Sequence, residues 1–356
     1  MKLFMSTKAY SYKDVYLVPR YSATISRGEI DVSRQLGEKK FKLPIIPANM
    51  VTCISAELAR KLSEDGYFYI MHRFLPEGSL GLYDFCEKAR IENWKTISIS
   101  IGVKEDDYKL VSKLPSTRCD YITIDIAHGD SIHSCKMLGH IHRVYQEARI
   151  VKPYVIAGNV ASPEGVLDLC SWGADAVKIG IAGGAACSTK DHCGFHVPMW
   201  TCVAECVKAI REKYPEKSII ADGGVRENGD IAKALAAGAD FVMAGSMFAA
   251  CINSPGENVY AADVTASLQN GYSLEETAKA WGTTPEKLII KKRYYGSASA
   301  RNKGYSKHVE GVEIELPCNG MSYAEKFEEI KQDLQSAASY AGGALNCLED
   351  VRHVFI

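Results

Sequence analysis

No run of apolar residues in this chain reaches the roughly 18–20 needed to cross a bilayer, so no membrane-spanning helix is expected. Nor is there an excess of charge of one sign: 43 acidic residues stand against 42 basic ones, for a formal net charge of -1. That balance removes the global electrostatic case for a nucleic acid or an anionic membrane as partner. The first residues, Met1 to Lys13, lack the apolar core of a secretory signal, and a cytoplasmic protein is expected. Cysteine is plentiful, with 12 residues, but it lacks a repeating spacing from Cys53 to Cys347. We read these as mostly reduced, buried thiols and not as a disulfide framework. Cys187, His192, Cys193 and His196 crowd together, yet a Cys-x5-Cys spacing without a second paired cluster is a poor zinc pattern. What is present is the composition of a globule with a sizeable core, 47% hydrophobic and 24% charged over 356 residues.

Eight short apolar, β-branched stretches punctuate the chain: Leu43–Ala48, Phe68–His72, Thr96–Ile101, Tyr121–Ile126, Tyr154–Ala157, Ala176–Ile181, Ser218–Ala221 and Phe241–Ala244. Each is mostly continuous, as strands buried on both faces are. Helical patterns lie between them. Ser55–Asp65 has a capping Ser at its start and Gly66 just past its end, Ser162-Pro163-Glu164 opens another, and Asn228–Leu235 a third. The phrases Gly173-Ala174-Asp175 and Gly238-Ala239-Asp240 repeat one helix-to-strand junction. Eight strand-then-helix units predict an α/β fold, a (β/α)8 TIM barrel formed as one domain over residues 1–356. The alternative is an open doubly wound sheet. The first strand, however, is followed by Pro47-Ala48-Asn49-Met50 and not by a Gly-x-Gly-x-x-Gly turn. The short stretch between His72 and Thr96 leaves no room for an inserted accessory (CBS) domain. Residues 251–317, polar and rich in Gly, Lys and Tyr, separate the eighth strand from the helix expected at Tyr323–Tyr340 and read as a flap or lid. Within them, Lys291-Lys292-Arg293 reads as a solvated charge run.

Barrel chemistry sits at the C-terminal ends of the strands. Asp222-Gly223-Gly224 and Gly245-Ser246 end strands seven and eight, where small residues let backbone N–H groups approach a phosphate. Asp222 suits a ribose diol, since a carboxylate accepts two hydrogen bonds. Gly180-Ile181-Ala182-Gly183-Gly184-Ala185-Ala186-Cys187-Ser188-Thr189 presents one thiol on a loop with little steric cover, as a nucleophile needs. On its own, the same thiol reads first as one of twelve small hydrophobic cysteines. His72 and Arg73, after the second strand, read equally as residues that meet a cofactor phosphate and as a solvated strand end.

The strand ends carry a resemblance. Phe41-Lys42-Leu43-Pro44-Ile45-Ile46-Pro47-Ala48-Asn49-Met50, Gly66-Tyr67-Phe68-Tyr69-Ile70-Met71-His72-Arg73-Phe74, Gly102-Val103-Lys104-Glu105-Asp106, Asp120–Gly129, Ala157-Gly158-Asn159-Val160 and Ala221-Asp222-Gly223-Gly224 closely resemble GMP reductases, a branch of the IMP dehydrogenase/GMP reductase superfamily. The likeness runs from Tyr12-Lys13-Asp14-Val15 to Ser339-Tyr340-Ala341-Gly342-Gly343.

The resemblance implies reductive deamination of GMP to IMP and ammonia with NADPH, through a thioimidate between the loop cysteine and purine C2. It places Cys187, Thr189 and Glu310 in the catalytic positions. It places Asp222, Gly223, Gly224, Gly245, Ser246, Gly184, Ser297, Lys307 and Gly311 around the nucleotide, and Asp125, His72 and Arg73 toward the cofactor. It also implies a K+ on backbone carbonyls of Gly180, Ala182 and Cys187, and a homotetramer. Two readings stay beside it: an IMP dehydrogenase-like oxidation, for which Arg301 and Tyr305 are present but not adjacent, and a reductase of a related purine nucleotide. A nucleotide sensor without catalysis is a third, which the joint presence of Cys187, Thr189 and Glu310 disfavours. The chain departs from the family pattern at Gly180-Ile181-Ala182-Gly183-Gly184, where the family has Gly-Ile-Gly-Pro-Gly, and at Ala300, where it has Glu.

Overall fold

The computed structural model describes residues 8–304, 307 and 309–356. Seven strands form one parallel sheet: β1 (Ile45–Pro47), β2 (Ser98–Ile101), β3 (Tyr121–Asp125), β4 (Tyr154–Val160), β5 (Ala176–Ile179), β6 (Ser218–Asp222) and β7 (Phe241–Ala244). Their order is β1-β7-β6-β5-β4-β3-β2, so the first strand pairs with the last and the sheet curls. Seven of the eight strands expected from the sequence are therefore present in barrel order.

The eighth, Phe68–His72, differs. It forms a single parallel bridge, Met71 to Ile99, flanked by hydrogen bonds between Met71 and the backbone of Ser98 and Ser100. Its side chains still follow strand parity. Phe68 and Ile70 join an inner core with Ile46, Tyr121, Ile156, Ile220, Phe241 and Met243. Tyr69 and Met71 join the outer core between sheet and helices, with Ile45, Ile99, Ile122, Val155, Val177 and Val242. Burial on both faces explains why this segment reads as a strand although its ladder is reduced to one bridge.

The helices form where their caps dictate. Ser55 accepts the Leu58 amide, and Gly66 closes the helix Ala56–Asp65 at φ 80, a left-handed conformation that suits glycine. Such an N-cap is worth about 1 kcal/mol. The helix Pro163–Ser171 is capped in the same way by Ser162, and the C-terminal helix spans Tyr323–Tyr340 as expected. A hairpin of Arg34–Leu36 and Lys39–Phe41 places Leu36 and Phe41 in the inner core. Val15–Leu17 pairs with His353–Phe355 and ties the two ends of the chain together.

The described residues of the 251–317 segment are more ordered than their composition suggests. They contain a three-stranded antiparallel sheet, β8 (Asn258–Tyr260), β9 (Ile289–Tyr295) and β10 (Glu313–Pro317). Between β8 and β9, helices Ala262–Gln269 and Leu274–Ala280 enclose a small core of Val264, Ala278 and Leu288. Strand alternation corrects the reading of the basic run. Lys291 and Arg293 face outward and pair with Glu315 and Glu257, whereas Lys292 is 1% exposed. Its ammonium donates to the Ser254 carbonyl and to Asn258 Oδ1. An inward lysine is accepted here because those oxygens satisfy it.

Candidate active site

A cavity of about 380 Å³ opens at the C-terminal ends of the strands, within the size range of small-ligand sites. Its floor is set by strand parity. With Ile122 and Ile124 outward, Asp125 turns inward; so do Lys178, between outward Val177 and Ile179, and Asp222, after outward Ala221. Lys178 is 3% exposed, and its Nζ lies 3.0 Å from Asp125 Oδ1 and 2.6 Å from Asp222 Oδ2. Burial pulls the lysine's pKa down, but the two carboxylates outweigh it and raise it. Burial pushes Asp125 up, yet the charges of Lys178 and Arg73, with hydrogen bonds from Lys178 and Asn49, hold its carboxyl below the ordinary range. Asn159 Nδ2 adds a 2.9 Å bond to Asp222 Oδ2 and a 2.7 Å bond to the Gly180 carbonyl.

The loop after β5 forms one wall. Cys187 is half-buried, and its Sγ lies 3.3 Å from Thr189 Oγ1, which donates to Glu310 Oε2 at 2.8 Å. All three line the cavity. Glu310 arrives on the far side of the flap. Ser188 N donates to the Glu310 carbonyl, Val312 N to the Ala186 carbonyl, and Gly311 bridges both Cys187 and Ser299. A side chain on Gly311 would put its Cβ 3.0 Å from Ser299 N, so glycine permits this close seam.

The remaining expected residues divide. Gly184, Ser297, Gly311, Arg73, Gly180 and Ala182 line the cavity with those above. Gly223 and Gly224 are left-handed, at φ 104 and 77, and Gly224 N donates to the Gly183 carbonyl, bracing the cysteine loop from behind. Gly245 and Ser246 sit at the start of the short helix Ser246–Ala249, outside the cavity lining. His72 is buried and also outside the lining; its Nδ1 accepts the Phe74 amide, and burial lowers its pKa to about 4. Lys307 is exposed and does not reach the cavity wall. Arg301 is held by Glu257 and Glu313 on the flap sheet, and Tyr305 lies outside the described residues.

A model of the IMP dehydrogenase / GMP reductase domain matches residues 9–353. The chain belongs to that family. Its relatives include a protein named GMP reductase from Streptococcus equi subsp. equi (strain 4047), 43% identical over 99% of this chain and 97% of that one. Two more of the same name are from Pediococcus pentosaceus, 41% identical over 98% and 97% of the two chains, and from Streptococcus pyogenes serotype M4, 41% identical over 99% and 95%.

In this member of the IMP dehydrogenase / GMP reductase family, four polar residues that line the cavity are not among the site residues expected from the sequence: Asn49, Asn159, Lys178 and Tyr294. Parity on β5 was a usable signal for Lys178, since a lysine between two outward apolar residues must face the barrel axis. Tyr294 carried no such signal, because the flap strand that delivers it was not foreseen. Its phenol is buried, donates weakly to Met50 Sδ at 3.5 Å, and stands over Gly245. Burial above all, helped by Cys53, Asp222 and Cys187, pushes its pKa well above the ordinary value.

Proposed function

We propose that this protein is a GMP reductase, converting GMP to IMP and ammonia with NADPH. The relay Cys187–Thr189–Glu310 at the cavity wall carries this reading. Thr189 has one hydroxyl proton and gives it to Glu310, so toward Cys187 it accepts, and the thiol is the donor. Loss of that proton leaves a thiolate facing the cavity, the form that attacks carbon. Addition of Sγ to purine C2 makes a C–S bond. Glu310, through Thr189, returns a proton to the exocyclic nitrogen, the C–N bond breaks, and ammonia leaves a thioimidate on Cys187. NADPH, when bound, supplies the hydride to C2. Departure of the Cys187 thiolate from C2 then releases IMP, and one further proton taken from solvent balances the cycle.

Asp222 would accept from the ribose hydroxyls. The backbone about Gly184, Gly223, Gly224, Gly245 and Ser246 would receive the phosphate, with the Tyr294 phenol exchanging its weak sulfur partner for an anionic oxygen. Ser297 and Gly311 would close over the base. The cofactor half fits a polar ligand: Arg73 Nε and Asn159 Oδ1 border the cavity as buried atoms that find no partner among the described residues. Arg73 and Asp125 would hold the cofactor there. Potassium fits less well on Gly180, Ala182 and Cys187, because the Gly180 carbonyl already accepts Asn159 Nδ2, and no step is assigned to it. A homotetramer in the cytoplasm is part of the same proposal. Among the described residues no helix is long and apolar enough to cross a membrane.

The test is to mix the protein with NADPH and each of a panel of purine nucleotides, following NADPH absorbance and ammonia together. Loss of both NADPH and the amine with GMP alone is expected. NADH formation from IMP would replace this reading with the oxidation, and turnover of another aminopurine nucleotide would move the substrate. Binding without turnover in every mixture would favour a sensor.

A further inference from the structure

Lys178 stands between the two carboxylates of the cavity floor, and the relay to Cys187 makes no use of it. Its ammonium is shared: Asp125 Oδ1 is at 3.0 Å and Asp222 Oδ2 at 2.6 Å. The space for it is built. A Cβ on Gly158 would lie 2.5 Å from the Lys178 carbonyl oxygen and 2.8 Å from its Cβ, so the neighbouring strand must carry glycine there. Asp125 belongs to the cofactor half of the proposed site and Asp222 to the nucleotide half.

We propose that Lys178 is a positioning residue that couples the two halves, holding both carboxylates in place and aimed at the hydroxyls of their respective ligands. This rests on the GMP reductase reading for the identity of the ligands. With the lysine the trio carries a net single negative charge; without it, two carboxylates face each other across the same gap and must repel, rotate or share a proton. Either response spoils acceptors on both sides at once. A residue that served one subsite alone would not do this. Through the shared ammonium, removing the charge of one carboxylate also frees the lysine toward the other, so a change in the cofactor half is felt in the nucleotide half.

The experiment measures IMP and NADPH dissociation constants separately by calorimetry on the full-length protein, without turnover. Lys178→Met is expected to weaken both ligands at least tenfold. Should that variant not fold, Asp125→Asn serves, since it keeps the shape of the side chain. It is expected to change IMP affinity at least threefold although Asp125 belongs to the other half, and in a Lys178→Met background, where that folds, this cross-effect disappears. Lys178→Met affinities within twofold of wild type, or an Asp125→Asn protein with unchanged IMP affinity, would overturn the coupling. Wild-type protein that binds neither ligand would remove the functional reading and this inference with it, an outcome distinct from the others.

Discussion

Thr189 Oγ1 stands between Cys187 Sγ, at 3.3 Å, and Glu310 Oε2, at 2.8 Å, and joins a loop after β5 to the far end of the flap. The hydroxyl gives its one proton to the glutamate and accepts from the thiol, which fixes the direction in which the thiol can lose its own.

Cys187→Ala removes the nucleophile and little else, because the side chain is only half-buried. Turnover of GMP is expected to vanish while GMP affinity stays within a fewfold. Stopped assays for ammonia and equilibrium binding check the two halves of that statement, and retained turnover would dispose of the covalent route.

Thr189→Val keeps the shape of the residue and cuts the relay; Glu310→Gln keeps the hydrogen bond and removes the base. Each should lower kcat by about 10²–10⁴, the ordinary worth of positioned acid–base catalysis. KM for GMP should move much less. A kcat within threefold of wild type in both variants would show that protons reach the site by another path.

Gly245→Ala places a Cβ 2.2 Å from the Tyr294 hydroxyl oxygen. The ring must move, and GMP affinity should fall about tenfold, equivalent to about 1.4 kcal/mol. Adding Tyr294→Phe removes the 2.2 Å contact and leaves the ring carbon Cζ at 3.2 Å, a distance a small shift accommodates, so the double variant should be more stable than Gly245→Ala alone and still bind GMP weakly. Full affinity in the double variant would exclude Tyr294 from anion binding.

His72 makes stability depend on pH. Burial lowers its pKa from 6.5 to about 4, so between those values the unfolded chain binds the proton and the folded one does not. The stabilisation is complete above pH 6.5 and is lost as pH falls toward 4. From pH 7.5 to pH 5 this amounts to about 2 kcal/mol, at 1.36 kcal/mol per unit. Urea unfolding of wild type and His72→Gln at the two pH values measures it; the variant should lose about that much less. Equal losses would mean that His72 is protonated in the fold.

The strands were legible because each is apolar on both sides, and their parity also carried Asp125 and Asp222 into the cavity. Parity of the same kind was available at Lys178 and was not used. Phe68–His72 shows the limit of such patterns: burial of Phe68, Tyr69, Ile70 and Met71 is complete, yet hydrogen bonding there is reduced to the Met71–Ile99 bridge. Composition reports burial and is silent on ladders. The flap was harder still. Lys292 looks solvated from its neighbours Lys291 and Arg293, and only the position of the Ser254 carbonyl and Asn258, supplied by other parts of the chain, makes it an interior residue. Tyr294 follows from that same strand, so the error in reading the basic run hid a wall of the cavity.

The seam at Gly311 fastens the segment that carries Glu310 directly onto the cysteine loop. The carboxylate beside Thr189 and the main-chain join over Cys187 thus belong to consecutive residues, so a substitution that loosens the join also displaces the carboxylate.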